Sequence, residues 1–361
     1  MVGGVLRGVL RWLGLSDPAF RSTVPAAPET RAAPAAPRPV LPTAPPWSGV
    51  SCAPSLDGGQ IRATILRDLL AQLDDIGTPG SPEAEADARF LSGLVRCLGS
   101  ETLELPVFPD VSLQLDRLLR QPDPGPKAVV DLVSSDPDLV RRVWGAAHSA
   151  MFARGVADLD HAIARIGFDR LWRIGMAACL HSPVFRAGRY QARVERLRAQ
   201  GAVAGKVAAW LADDPRGDAY LAGMLHGAGG LFVWRCAAAT GRVHPDKDRV
   251  ARILRDHSAG LGVLMAQAWG LGEEVAAGVG FWPGPDLAPA GHVQFARLVH
   301  VSVVATMAAE EARAGRDCGG RAALARHDGV FCDAESTLQR AAQAWRGEDA
   351  AEAADAKVRS A

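Results

Sequence analysis

Apolar residues recur at helical spacing along most of this chain. Ile65, Leu66, Leu69, Leu70 and Leu73 make one stripe between Ile61 and Leu73; Phe90, Leu91, Leu94, Val95 and Leu98 make another between Pro82 and Leu98. The turn-forming run Gly77-Thr78-Pro79-Gly80-Ser81 separates them, so the pair predicts a helical hairpin. Beyond it, Val111, Leu115, Leu118 and Leu119 share one face. Asp136-Pro137 reads as an N-cap and first-turn pair for a helix with Leu139, Val140, Val143 and Trp144 inward. Gly167 reads as a helix stop, with Asp169 capping the next helix. Longer helices are expected over Val194–Leu211, Ala219–Ala238, Lys247–Trp269 and His292–Ala314. No segment alternates like a strand, so the expected class is all-α.

The ends read differently. Residues 1–15 place Val2, Val5, Leu6, Val9, Leu10 and Leu13 at helical spacing beside Arg7, Arg11 and Trp12. That pattern suits an amphipathic helix making weak contact with a membrane surface or docking on a partner. Gly3, Gly4 and Gly8 weaken it as a helix, so disorder is the competing reading. Residues 16–54 are Pro- and Ala-rich, as in Ala32-Ala33-Pro34-Ala35-Ala36-Pro37, and read as a disordered linker. The organisation expected is a hairpin over 55–100, a multi-helical domain over 101–315, and a C-terminal helix and tail over 316–361.

Composition narrows the function classes. Forty basic and forty acidic residues balance, so no global field favours nucleic acid, and none is expected as a partner. The six cysteines include no Cys-x-x-Cys pair, which points to reduced thiols in a cytoplasm. No uncharged run reaches the ~18 apolar residues of a membrane span; the longest, Ala219–Trp234 and His257–Gly272, carry His and several Gly and read as buried core helices. There is no P-loop, no Gly-x-Gly-x-x-Gly opening a helix and no Ser-His-Asp arrangement.

Motifs in the middle of the chain carry more. Leu105-Pro106-Val107-Phe108-Pro109-Asp110-Val111 is followed by Asp136-Pro137-Asp138-Leu139-Val140-Arg141-Arg142-Val143. Then come Ala146-Ala147-His148-Ser149-Ala150-Met151-Phe152 and Leu159-Asp160-His161-Ala162-Ile163-Ala164-Arg165-Ile166-Gly167. In this order they resemble the HDOD family, the HD-related output domain of bacterial signalling proteins. The resemblance runs from about Leu103 to Met307, with His148 standing where the family has Asn. It implies a multi-helical HD-like fold and a role in bacterial signal transduction through protein contacts.

The same resemblance extends to HD-type phosphohydrolases, where an adjacent His and Asp bind metal on a helix. Here the run Ala222-Gly223-Met224-Leu225-His226-Gly227-Ala228-Gly229-Gly230-Leu231 keeps the His but has Gly227 for the Asp and Gly230 for a basic residue. The family's early His falls on Ala199, and its later His pair on Phe281 and Trp282; the late helix Leu298–Val304 has no Asp. A metal centre needs several converging ligands, and one His cannot hold a catalytic ion. The vestigial site is therefore Ala199, His226, Gly227, Phe281 and Trp282, with no catalytic residue, metal or cofactor, and the chain is not expected to be an enzyme. His226 reads as a core histidine bonded to a backbone carbonyl. Gly229 and Gly230 would admit a close partner or pack a neighbouring helix. Phe281 and Trp282 would be hydrophobic plugs or interface anchors. With Trp12, these four are the candidate interface. The expected function is a non-catalytic, cytoplasmic adaptor for other signalling proteins. The alternative is a degenerate domain that binds a nucleotide second messenger, such as a cyclic dinucleotide, through Arg141, Arg142, Arg165, Arg170 and Arg173. A residual metal-dependent phosphohydrolase would need ligands outside the family pattern.

Overall fold

The computed structural model describes residues 50–76, 80–100, 110–148, 158–178, 180, 185–214, 217–316 and 319–359. The expected amphipathic segment with Trp12, residues 16–49 of the linker, and parts of the first and third motifs (105–109 and 149–152) lie outside them. Among the described residues the regular structure is helical throughout, without strands. Among the described residues no helix is long and apolar enough to cross a membrane.

The N-terminal hairpin is α1 (Gly58–Ile76) and α2 (Pro82–Gly99). Ser81 caps α2 by accepting from the Ala84 amide, and Pro82 occupies the first turn, where its missing N–H costs nothing. Five helices follow: α3 (Asp110–Leu119), α4 (Pro126–Ser134), α5 (Pro137–Ala147), α6 (Leu159–Ile166) and α7 (Phe168–Ala178). Asp136 caps α5 through the Asp138 and Leu139 amides, and Asp158 caps α6 through His161. Gly167 stops α6 with φ of 76°, a region that favours glycine. Asp169 does not cap α7; that helix starts at Phe168 and holds Asp169 within its first turn, where a carboxylate still suits the macrodipole.

The second half comprises α8 (Gln191–Leu211), α9 (Asp218–Leu225), α10 (Ala228–Ala238), α11 (Lys247–Ala268), α12 (Glu273–Phe281), α13 (Val293–Arg313), α14 (Gly320–Ala325) and α15 (Ala334–Arg359). α8 packs on α9 and α13, α10 on α11, and α12 on α9, α11 and α13; α15 lies across α8 and α13. One continuous core joins the hairpin to the rest, from Ile61, Leu69 and Phe90 to Trp172, Phe232 and Val304.

Two further expectations are corrected. The helix expected over Ala219–Ala238 is broken at His226 and Gly227, because the His226 side chain takes the Gly223 carbonyl that a continuing helix would use. The last residues of the Pro/Ala segment are not linker: the Ser51 amide donates to Arg255 O at 2.8 Å, the Ala53 amide donates to Gly280 O at 2.9 Å, and Ala53 is buried.

The hairpin is fastened by polar contacts as well as by its apolar stripe. His257 Nε2 lies 2.6 Å from Asp68 Oδ2, joining α11 to α1. Asp87 on α2 accepts from the Asp246 amide at 2.7 Å and from Arg249 Nε at 2.9 Å, at the start of α11.

Candidate functional site

His226 stands at the break between α9 and α10, buried and 2.7 Å from Gly223 O through Nδ1. A carbonyl only accepts, so Nδ1 carries the proton and Nε2 is left with a lone pair. Nε2 is buried without a hydrogen-bond partner. The ring meets Trp282 edge to face, with centroids 5.4 Å apart. Burial outweighs the carbonyl bond and drives the His226 pKa down to about 4, so the imidazole is neutral near pH 7.

Trp282 links His226 to a second histidine. His300 Nδ1, on α13, lies 2.7 Å from Trp282 O, the carbonyl at the C-terminal end of α12. Its pKa also falls to about 4, foremost through burial. His327 approaches it with ring centroids 5.1 Å apart. Thus His226, Trp282 and His300 converge, though they are far apart in sequence.

The α8 residue that packs against Gly227, beside His226, is Leu197 rather than Ala199. An ideal Cβ on Gly227 would lie 3.4 Å from Leu197 Cδ2, and one on Gly230 would lie 3.4 Å from Leu197 Cδ1. Leu197 therefore fills the corner where the early His was expected. Two residues along a helix turn the side chain by about 200°. Ala199 accordingly lines a different feature, a pocket of about 520 Å³ between α8, α13 and α15.

The four candidate interface residues fare alike where described. Phe281 and Trp282 are buried, at 3% and 2% exposure, and act as plugs rather than anchors. Gly229 and Gly230 are buried too. A Cβ on Gly229 would come within 2.0 Å of Ser258 O and 2.8 Å of Gly262 N, both backbone atoms of α11. Glycine at 229 lets two helices touch main chain to main chain. As folded, these residues offer no surface to a partner.

Charge collects instead around the pocket beside Ala199, which the sequence reading missed. Arg196 Nε lies 2.7 Å from Glu310 Oε1 and its Nη2 3.4 Å from Glu311 Oε1. Gln200 Nε2 donates to Glu310 at 2.6 Å, and Arg316 pairs with Glu311. α15 closes the far wall: Trp345 Nε1 donates to Thr306 O at 3.0 Å, Arg313 lies over the Trp345 ring, and Lys206 pairs with Glu348. The available signal was the cluster Glu310, Glu311, Arg313 and Arg316 at the end of an otherwise apolar helix.

Of the proposed phosphate-contacting arginines, Arg141 and Arg142 both pair with Asp138, at 2.9 and 3.1 Å. Arg173 Nε donates to Asp169 O.

These helices and motifs are those of a known domain. The HDOD domain profile matches residues 105–281. Residues 105–281 are an HDOD domain. Solved structures share the fold. An HDOD domain protein of unknown function from Geobacter sulfurreducens is 19% identical with a TM-score of 0.51, over 74% of this chain and 97% of that one. A protein of Marinobacter aquaeolei VT8, proposed to act in signal transduction, is 22% identical with a TM-score of 0.51, over 78% of this chain and 67% of that one. No curated protein matches the sequence.

The HD ancestry of the HDOD domain implies a metal, and the donor set here does not fit one. Among the described residues no three His, Cys, Asp or Glu side chains are grouped to hold an ion. His226 offers one nitrogen, Nε2, and Leu197, Gly227 and Phe281 offer no donor.

Proposed function

We propose that this HDOD protein is a non-catalytic regulator in signal transduction that works through contacts with other proteins. The observation that carries the reading is the His226–Trp282–His300 cluster. Each imidazole is buried and committed through Nδ1 to a main-chain carbonyl, 2.7 Å away in both cases. That arrangement braces the junction of α9, α12 and α13; it supplies neither converging metal ligands nor a group placed to activate water.

The binding of a nucleotide second messenger is the less favoured reading. The pocket beside Ala199 has arginines, but Arg196 and Arg316 face Glu310 and Glu311 across short ion pairs. A phosphate entering there would meet carboxylates as well as guanidinium groups.

The test is hydrolysis and titration on the full chain. Incubation with Mn²⁺, Fe²⁺ or Mg²⁺ and cyclic dinucleotides, nucleoside triphosphates or an aryl phosphodiester should give no turnover above background. Calorimetry should show no saturable heat with cyclic dinucleotides, while affinity capture from the native host should return a signalling protein. Metal-dependent turnover that disappears in His226→Ala would overturn the reading, and so would saturable dinucleotide binding.

A further inference from the structure

The six cysteines are scattered in sequence, but the fold brings two of them together. Cys97 lies in the last turn of α2, on the face that carries Phe90, Leu94 and Leu98 into the core. Cys236 lies on α10, which packs against α2. Neither is in a disulfide, and their side chains share a hydrogen bond across this interface. Cys97 is 8% exposed, whereas Cys236 is half-buried, so reagents can approach from the Cys236 side. The helices are not free to drift: the Asp87 contacts to Asp246 and Arg249 and the His257–Asp68 contact hold the hairpin on α11.

The surroundings act on the pair as a unit. Cys236 is pushed well above the usual thiol range, first by its hydrogen bond to Cys97 and then by burial, while Arg235 and Arg96 pull it down. Two guanidinium groups beside the pair favour one negative charge there.

We propose that Cys97 and Cys236 are a redox modification site, a dithiol that a hydroperoxide converts to a disulfide, locking the N-terminal hairpin onto the HDOD domain. One thiolate of the pair attacks one peroxide oxygen, forming an S–O bond and breaking O–O; the leaving hydroxide takes a proton to become water. The other sulfur then attacks the sulfenic sulfur, forming S–S and breaking S–O, and its proton leaves with the departing hydroxide as a second water. Both sulfurs are oxidised and both peroxide oxygens reduced, so two thiols and one hydrogen peroxide give one disulfide and two waters. The disulfide joins the hairpin, which precedes the matched residues, to the interior of the domain.

The experiment treats the reduced full-length protein with hydrogen peroxide, then unfolds and alkylates it and maps the peptides. Two of the six cysteines should become unavailable to alkylation. The cross-linked peptide should join Cys97 to Cys236, and dithiothreitol should release it. The oxidised protein should melt roughly 5–10 °C above the reduced one. Cys97→Ser and Cys236→Ser should each lose the cross-link and the shift, and a sulfenic acid that dimedone traps should accumulate at the remaining sulfur of the pair. Full alkylation of the wild type after peroxide would overturn the proposal. So would a disulfide at any other pair, or a peroxide-induced Tm rise that persists in Cys97→Ser. Peptide mapping of the wild type decides the matter even if a serine variant fails to fold.

Discussion

Gly229→Ala and Gly230→Ala are neighbouring substitutions that should act in opposite directions. At 229 the new methyl would lie 2.0 Å from Ser258 O, 2.8 Å from Gly262 N and 2.9 Å from Ser258 C. All three are main-chain atoms of α11, so no rotamer can make room. Reaching ordinary carbon–oxygen contact, about 3.3 Å, requires α10 and α11 to part by more than about 1 Å. A gap of that size forfeits roughly a quarter to a half of the dispersion energy along the seam. Overpacking typically costs about 1–3 kcal/mol, and a clash with backbone belongs at or above the upper end. Alanine returns about 1 kcal/mol of helix propensity, leaving a net loss of roughly 2–3 kcal/mol. At 230 the methyl would meet only Leu197 Cδ1 at 3.4 Å and Leu254 Cδ2 at 3.7 Å, the ends of flexible side chains. There the propensity gain should dominate, giving anything from no change to about 1 kcal/mol of stabilisation. Thermal and urea unfolding of both variants against the wild type is the assay, with Gly229→Ala expected to melt roughly 4–12 °C lower. If Gly229→Ala unfolds like the parent, or Gly230→Ala loses as much, the packing argument is wrong. A stable Gly229→Ala that no longer captures a partner would instead place Gly229 in an interface.

His226→Ala removes the donor to Gly223 O and should cost about 1–3 kcal/mol in urea unfolding, without altering any metal content. His226 and His300 both have folded pKa values near 4, against about 6.5 when unfolded, so the unfolded chain binds more protons between those values. Their neutral burial therefore supports the fold fully above about pH 6.5 and gives way as pH falls towards 4, by up to roughly 3 kcal/mol per histidine. Urea midpoints measured from pH 7 to 4 should fall, and a flat profile would contradict the burial of both rings. Asp68→Asn weakens the contact with His257, and because the Asp68 side chain is 45% exposed the expected loss is about 1 kcal/mol. Its sharper signature should be faster hydrogen exchange in α1 and α2, with α8 and α13 unchanged.

The all-α class and most helices were legible because their buried faces are written as stripes. Ile61, Ile65 and Leu69 on α1, and Leu139 and Val143 on α5, recur at the spacing a helix needs to present one side to a core. Legibility failed where helices are buried on more than one side. α8 buries Val194, Leu197, Gln200, Gly201, Val203 and Ala204, so no stripe says which residue faces the His226 turn. Alignment by family spacing then chose Ala199, and only the helical rotation of the real backbone puts Leu197 there. The run from Ala219 to Ala238 likewise marks its break only with His226 and Gly227, a pair that a continuous helix also accommodates. That break comes from a side-chain-to-carbonyl bond, which local pattern does not encode. The glycines could be read as an open approach or as a helix seam, because both need the same missing Cβ. Only the position of Ser258, from another helix, separates the two. The contact of Cys97 with Cys236 is tertiary in the same sense.

The HDOD match ends with Phe281, at the last residue of α12, yet the cluster it contains is completed from outside. A helix end leaves carbonyls unpaired, and a buried one must find a donor. Here the Trp282 carbonyl finds it in His300, one full helix later. α13 can reach because it is buried along its length, from Ala296 through Val304 to Ala309, against α8, α9 and α12. α15 then packs over α13 and fixes it through the Trp345 bond to Thr306. Force on α15 would therefore be felt first by α13 and next by the carbonyl that holds Trp282 against His226. In an HD hydrolase this location would be given to chemistry. In this chain it is a packed joint between the matched residues and the helices that follow, so the core of the matched segment is completed by α13 and, behind it, by α15.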